Sequence, residues 1–272
     1  MNKPLIIAHR GASALAPENT FAAFRKAVSD GAEGIEFDVR LTRDGEVVVF
    51  HDATLARLTN RKNLVSSLTA EELQTIDVGS WFARRKTSPA SEDFSGETIP
   101  TLRGLLDFLA DFKGLIYIEL KCRKAEIEKL SKAVCEIISD SPLLPQIIVK
   151  SFQLEVIPAV RRICPNAKTA ALFAPKIMTI LRKEKRLVEV AGELGADMIS
   201  VHFSLATRKL MEKAEKKNLP VTIWTADNPR WVKRAFDLGL FAVITNNPAI
   251  LLAKRAEILE GNLPRRNTNF HE

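Results

Sequence analysis

The feature that most constrains this chain is one unit repeated eight times, a short apolar run of β-forming residues followed by an amphipathic helical stretch. Runs at Leu5 to Ala8, Gly34 to Val39, Leu115 to Leu120, Ile147 to Lys150, Thr169 to Phe173, Met198 to Val201, Val221 to Trp224 and Ala242 to Thr245 predict strands. Helices are predicted over Asn19 to Ser29, Thr101 to Asp111, Lys124 to Ser139, Leu154 to Ile163, Met178 to Leu194, Thr207 to Lys217, Pro229 to Leu238 and Pro248 to Leu259. In the first of these Phe21, Phe24, Ala27 and Val28 recur at helical spacing, Asn19 or Thr20 can cap the start, and Gly31 ends it. Strict alternation of this kind predicts an α/β fold, a parallel TIM (β/α)8 barrel, although a doubly wound open sheet uses the same alternation.

One stretch breaks the rhythm. Behind the second strand come a turn at Arg43-Asp44-Gly45, an apolar run from Val47 to Phe50, and then no long helix before Thr101. Residues 53–99 are therefore read as a small insertion after the second strand, and a connection of that length inside a compact domain is usually a functional insertion or lid. It holds one clear short helix, Thr69 to Leu73, in which Thr69 and Glu72 form a capping box. Ala83 to Glu97 is polar and expected to be mobile. The 272 residues suffice for one large domain or two smaller ones. The alternation favours one barrel over residues 1–260, insertion included and without a second core, followed by a loose tail at 261–272.

Composition narrows the class. With 46% apolar and 27% charged residues the chain is neither disordered, collagenous nor membrane-embedded. No apolar run approaches the roughly 18 residues of a membrane span, so no integral membrane association is expected. The first residues turn polar too soon for a signal-peptide core, and Cys122, Cys135 and Cys164 lack C-x-x-C or zinc spacing; both point to a cytoplasmic setting. The net charge of +7 would attract a nucleic acid, an anionic membrane or a small phosphorylated substrate. Nucleic acid is disfavoured because the cations are scattered along helices without interleaved aromatics; clusters such as Arg182-Lys183-Glu184-Lys185-Arg186 read as solvated helix surface.

The unusual polar residues gather at carboxyl ends of strands, the rim where barrels build active sites. His9 and Arg10 follow the first strand, Glu36 and Asp38 end the second, His51 ends its extension, and Glu119 and Lys121 end the third. Residues two apart on a strand leave the same face, about 7 Å apart along the backbone, so each strand presents a pair. Three carboxylates at one mouth repel unless protons or a cation offset them, and oxygen-only ligands favour Mg2+ or Ca2+ over zinc. Ion pairing with Arg10, Arg40 or Lys121 is the plainer reading for any one of these acids. For three acids, a lysine and two histidines together, a site is the better one. His9 and His51 can exchange protons near neutral pH as an acid and base pair. His202 is as well explained by packing as by the pocket, and His271 lies in the tail. Arg10 and Lys121 suit a phosphoryl group, to which the amino end of the helix after Pro17-Glu18-Asn19-Thr20 can add N–H donors.

These residues have a recognisable order. His9-Arg10-Gly11, Pro17-Glu18-Asn19-Thr20, Glu36-Phe37-Asp38, Thr42-Arg43-Asp44, Val49-Phe50-His51-Asp52, Ile99-Pro100-Thr101-Leu102, Glu119-Leu120-Lys121, Ser151-Phe152 and Trp224-Thr225 resemble the glycerophosphodiester phosphodiesterase family from Leu5 to Pro248. The resemblance implies a TIM barrel with an insertion, and hydrolysis of a glycerophosphodiester to glycerol 3-phosphate and an alcohol. It further implies one divalent cation at Glu36, Asp38 and Glu119, acid/base work by His9 and His51, and phosphate contact through Arg10 and Lys121. Glu18 would support the first histidine and Trp224 would line the substrate pocket.

Three positions depart from that pattern. Ala226-Asp227 follows Trp224-Thr225 where Val-Asn is common, Thr245-Asn246-Asn247-Pro248 stands where Thr-Asp-x-Pro is common, and Arg103-Gly104 follows Leu102 where an acid is usual. None touches the metal or histidine positions, so they bear on substrate preference. The expected mechanism has His9 as base and His51 as acid, with Asp52 or Glu18 orienting them. The substrate is expected to be a small glycerophosphodiester bound by a monomer or homodimer, in lipid or glycerol metabolism. A phospholipase D-like enzyme acting on lysophospholipids on the same scaffold is the alternative. It would need apolar residues near the mouth, and Trp81-Phe82 are the obvious ones, although these are better read as covering the barrel edge.

Overall fold

Each predicted apolar run is a strand within two residues of its expected limits in the computed structural model, which describes residues 3–84, 93–177 and 184–261. The strands are β1 (Leu5–His9), β2 (Gly34–Leu41), β3 (Val47–Val49), β4 (Leu115–Leu120), β5 (Ile147–Ser151), β6 (Lys168–Phe173), β7 (Met198–His202), β8 (Val221–Trp224) and β9 (Ala242–Thr245). All but β3 pair in parallel in the order β1-β2-β4-β5-β6-β7-β8-β9, and β9 pairs back onto β1. That last pairing, Leu5↔Ala242 to Ala8↔Thr245, closes the ring and settles barrel against open sheet. β3 lies outside it, antiparallel to β2.

The helices are α1 (Phe21–Ser29), α2 (Ala70–Gln74), α3 (Leu102–Phe108), α4 (Ile127–Ser139), α5 (Val156–Ile163), α6 (Glu184–Glu193), α7 (Arg208–Glu215), α8 (Arg230–Leu238) and α9 (Pro248–Gly261). Of the helix expected from Met178, residues 178–183 lie outside the described residues, and with them Arg182 and Lys183 of the Arg182 to Arg186 cluster, as do residues 85–92 of the polar stretch and the tail with His271. Thr20, not Asn19, caps α1 by accepting from the Ala23 N–H, and Thr69 and Glu72 form the expected capping box on α2.

Two large apolar clusters fill the space between ring and helices, one around Phe24, Phe37 and Val134, the other around Phe173, Val201 and Ile223. Inside the ring Ile7, Tyr117, Ile148, Ala170, Met198 and Ile244 form a smaller cluster. Two residues further along the same faces stand His9, Glu119 and Lys150, so the interior turns from apolar to charged toward the carboxyl ends.

The insertion corrects one expectation, since it does have a core of its own. Val48, Phe50, Leu55, Leu58, Val65, Leu73, Ile76 and Ile99 bury one another apart from the barrel clusters, with Trp81 packed against them. A segment this long, running outside the ring, has more apolar surface than the barrel edge can cover. Phe82 is fully buried, stacked edge-on against Trp81 and Phe94, so it packs within the insertion, whereas Trp81 is half-buried.

Candidate active site

Parallel register builds the centre of the site. Asp38 pairs with Glu119 across β2 and β4, Glu119 with Lys150 across β4 and β5, and His9 with Glu36 across β1 and β2. Glu36, Asp38 and Glu119 are all buried, and one carboxylate oxygen from each lies within 4.8 Å of the others. Lys121 Nζ stands 2.5 Å from Glu119 Oε1 and 3.2 Å from Asp38 Oδ1. Lys150 Nζ stands 2.8 Å from Glu36 Oε1, and Arg10 Nε 3.1 Å from Asp38 Oδ2, which also accepts from Asn19 Nδ2 at 3.0 Å. Arg40, an expected partner of these acids, instead donates to the carbonyls of His51 and Lys121.

Burial opposes ionisation of all three acids, and their neighbours decide the outcome. Against it, the charges of Lys121 and Arg10 hold Asp38 far below the usual range, and Lys150 and His9 bring Glu36 down. At Glu119 burial prevails, helped by Asp38 and only partly offset by Lys121, so its carboxyl titrates high. Glu36 Oε1, Asp38 Oδ1 and Glu119 Oε1 have ammonium groups within ion-pair reach but accept no well-aligned hydrogen bond. Three converging, under-bonded carboxylate oxygens are the donor set a hard divalent cation requires, so the residues fit the expected ion.

The two histidines flank this centre with different partners. His9 Nδ1 is 2.6 Å from Asn246 Oδ1, and its Nε2 is 3.9 Å from Glu36 Oε2, so the departure at Asn246 does touch a histidine position, contrary to expectation, because the loop after β9 meets the end of β1. Burial lowers its pKa, against the pull of Glu36. His51 Nδ1 is 2.7 Å from Asp52 Oδ1; burial lowers its pKa too, with Asp38 and Asp52 opposing and Arg10 and Lys121 adding to the fall. Of the two acids expected to orient the histidines, Asp52 is the one in contact with His51.

Glu18 does not support His9 as expected; it holds arginines. It accepts from Arg10 at 2.8 Å and, through both oxygens, from Arg57 at 2.6 and 2.8 Å. Burial works against its charge, but the Arg57 bonds and the Arg10 charge bring its pKa down to about 2. Arg57 Nε also donates to Asp52 at 2.5 Å, so one insertion residue ties both loops together. Arg10 adopts a left-handed backbone, φ 55°, followed by Gly11 at φ 79°. A side chain at Gly11 would meet Ala23 of α1 at 2.6 Å, which explains the glycine. The amino end of α1 is not open to phosphate as expected, because the Ala22 and Ala23 amides donate to Glu97 and Thr20.

Across the mouth the rim is aromatic. Trp224 stacks edge-on with Phe152 at 5.4 Å and with His202 at 5.3 Å, and Lys121 Nζ lies 5.6 Å from the Phe152 ring centre. His202 bonds Ser204 and so belongs to this wall. Trp224 therefore faces the charged half through Phe152, which is 42% exposed. On the His9 side a cleft of about 450 Å³ is lined by His9, Arg10, Glu18, Arg57, Trp81, Asp227 and Asn246.

The sequence assigns no site role to Lys150, Arg57, Phe152 or Asn19, although Asn19 and Phe152 fall within motifs it shows. Lys150 carried a usable signal: it is a charged residue closing an apolar strand, level with Glu119 in any in-register barrel. Arg57 lies in an aperiodic stretch where nothing marks its partners.

Known proteins resemble this chain in sequence and in fold. Residues 9–250 match the glycerophosphoryl diester phosphodiesterase family. A glycerophosphodiester phosphodiesterase of Caldanaerobacter subterraneus subsp. tengcongensis is 32% identical over 253 residues, 92% of this chain and 97% of the relative. The crystal structure of a glycerophosphodiester phosphodiesterase from Agrobacterium tumefaciens is similar with TM-score 0.74 and 27% identity, covering 92% of this chain and 99% of that one. An Oleispira antarctica phosphodiesterase, solved with the product sn-glycerol-3-phosphate, is similar with TM-score 0.81 and 25% identity, covering 92% and 96%.

Proposed function

The chain belongs to the glycerophosphoryl diester phosphodiesterase family and is a phosphoric diester hydrolase, and we propose that it cleaves small glycerophosphodiesters to glycerol 3-phosphate and an alcohol. The observation that carries this reading is the meeting of three buried carboxylates, two histidines with different partners and Arg10 at one barrel mouth. Glu36, Asp38 and Glu119 would hold one Mg2+ or Ca2+ ion, which when bound would polarise the phosphoryl oxygens and offset their charge.

The other steps fall to the side chains. Arg10, aimed by Glu18 and Asp38, offers a planar fork to nonbridging oxygens, and Lys121 adds a point charge. His9, kept neutral by burial, takes the proton of the attacking hydroxyl at Nε2. His51, backed by the Asp52 carboxylate, gives a proton to the leaving alkoxide. The attacking hydroxyl belongs to water or to the neighbouring glycerol carbon, and a cyclic phosphate intermediate would identify the second. Trp224 and Phe152 pack against the carbon skeleton of the substrate.

Glycerophosphocholine, assayed with each metal and after EDTA, tests the reading. Release of glycerol 3-phosphate that stops with EDTA and returns with Mg2+ or Ca2+ is expected. Turnover unchanged by EDTA would remove the cation, and hydrolysis of lysophosphatidylcholine in preference to glycerophosphocholine would replace the substrate.

A further inference from the structure

The hydrogen bond that His9 makes at Nδ1 is the first of a chain. Asn246 Oδ1 faces Nδ1 at 2.6 Å and also accepts from Ser13 Oγ at 2.9 Å. At the other end of the same amide, Nδ2 donates to Asp227 Oδ2 at 2.7 Å. The second oxygen of Asp227 accepts from the Asn246 backbone N–H at 2.7 Å and from Thr245 Oγ1 at 3.0 Å. Asp227 follows β8 and Asn246 follows β9, so the chain spans two loops.

An ionised carboxylate only accepts hydrogen bonds, whereas an amide accepts at one end and donates at the other. Asp227 therefore fixes the amide with NH2 toward itself and the carbonyl oxygen toward His9. An acceptor at Nδ1 requires the proton to be on Nδ1, and in the neutral ring this leaves the lone pair on Nε2, the nitrogen that faces Glu36.

We propose that Asp227 and Asn246 are positioning residues that lock His9 in the Nδ1–H tautomer and aim its Nε2 lone pair at the attacking hydroxyl. The inference rests on the reading of His9 as general base. Neither residue is among the metal-binding acids, and the relay acts through His9 alone.

The test begins with the wild-type protein containing Mg2+, its histidine rings labelled with 15N. The expected spectrum for His9 has a protonated Nδ1 and an unprotonated Nε2, and the opposite tautomer would overturn the proposal without any variant. With glycerophosphocholine, Asp227→Asn and Asn246→Asp alone should each lower kcat about tenfold or more while KM stays within about twofold, because the base is misaligned and binding is not. The double variant, which restores one amide and one carboxylate in exchanged places, should recover most of that loss. Full kcat in Asp227→Asn, or a double variant no better than either single one, would refute the relay. His9→Ala separates the two levels: full turnover there defeats the base assignment itself. An inactive His9→Ala beside an unimpaired Asp227→Asn defeats only the relay.

Discussion

His9 and His51 serve one carboxylate centre from different foundations. His9 ends a ring strand, held in register between β2 and β9, with a neutral amide as its partner. His51 follows β3 outside the ring and opens an insertion with its own apolar core, and its partner is a carboxylate tied down by Arg57. A residue that must present a lone pair gains from burial and a neutral partner. One that must carry a proton to a leaving group gains from a nearby negative charge. On the proposed roles the difference in partners would separate base from acid, and the difference in scaffolding would let the acid half loosen while the base half stays rigid.

The largest effects test the division of labour. His9→Ala and His51→Ala should each lower kcat on glycerophosphocholine by about 10² to 10⁴, the usual contribution of a general acid or base. A substrate with a nitrophenol leaving group needs no acid, so it should restore turnover to His51→Ala and leave His9→Ala impaired. Restoration of His9→Ala instead would exchange the two roles.

Next comes the scaffolding. Leu73 is fully buried in the insertion cluster, and Leu73→Ala should cost that unit about 2–5 kcal/mol. Hydrogen exchange should quicken across residues 50–78 while the β1 and β9 amides keep their protection. Equal loosening of both would show that the insertion and ring unfold together, and the contrast between the two halves would fail.

How much of this could be read beforehand depends on whether the information is local. The strands were legible because a strand buried on both faces is a short continuous apolar run, and the turn residues between runs set its limits. The carboxylate centre was legible because Glu36 and Asp38, like Glu119 and Lys121, obey a two-residue period, although β2 runs three residues past Asp38 and does not end there as expected. Barrel closure was not, since the β1 to β9 pairing joins residues more than two hundred positions apart. Partner choice was not either. Glu18 turned to Arg57 and left His9 to Asn246 because three separate loops meet at the rim, and no periodicity reports where loops meet. The insertion's apolar residues were visible, but without a period they did not reveal that they pack on one another.

Arg57 tests how tightly the acid half is joined to the rest. It donates to Asp52 and makes a two-point contact with Glu18, yet its side chain is 43% exposed, which limits its worth. Arg57→Ala should lower kcat about tenfold, more than an ordinary surface pair because the contact is bidentate and charge-assisted. The 15N signature of His9 should not change, since no bond in its own chain is touched. A shift there would mean that the two histidines are coupled through the rim.

The smallest expected effect concerns the seam between the halves, where Glu18 bridges Arg10 beside His9 and Arg57 in the insertion. Its pKa falls from an ordinary 4.5 to about 2 in the folded chain, so folding favours the ionised form. That stability is fully present above pH 4.5 and is lost as the pH falls through about 2. Glu18→Gln keeps the shape and part of the hydrogen bonding, so its cost at pH 7 should be about 1 kcal/mol, or 2–4 °C in Tm. The gap between variant and wild type should narrow steadily as thermal melts are taken from pH 5 toward pH 2, because the wild-type carboxyl is then being neutralised as well. A gap independent of pH would mean that Glu18 acts through packing alone, and that the two halves are joined there by shape, with charge contributing nothing.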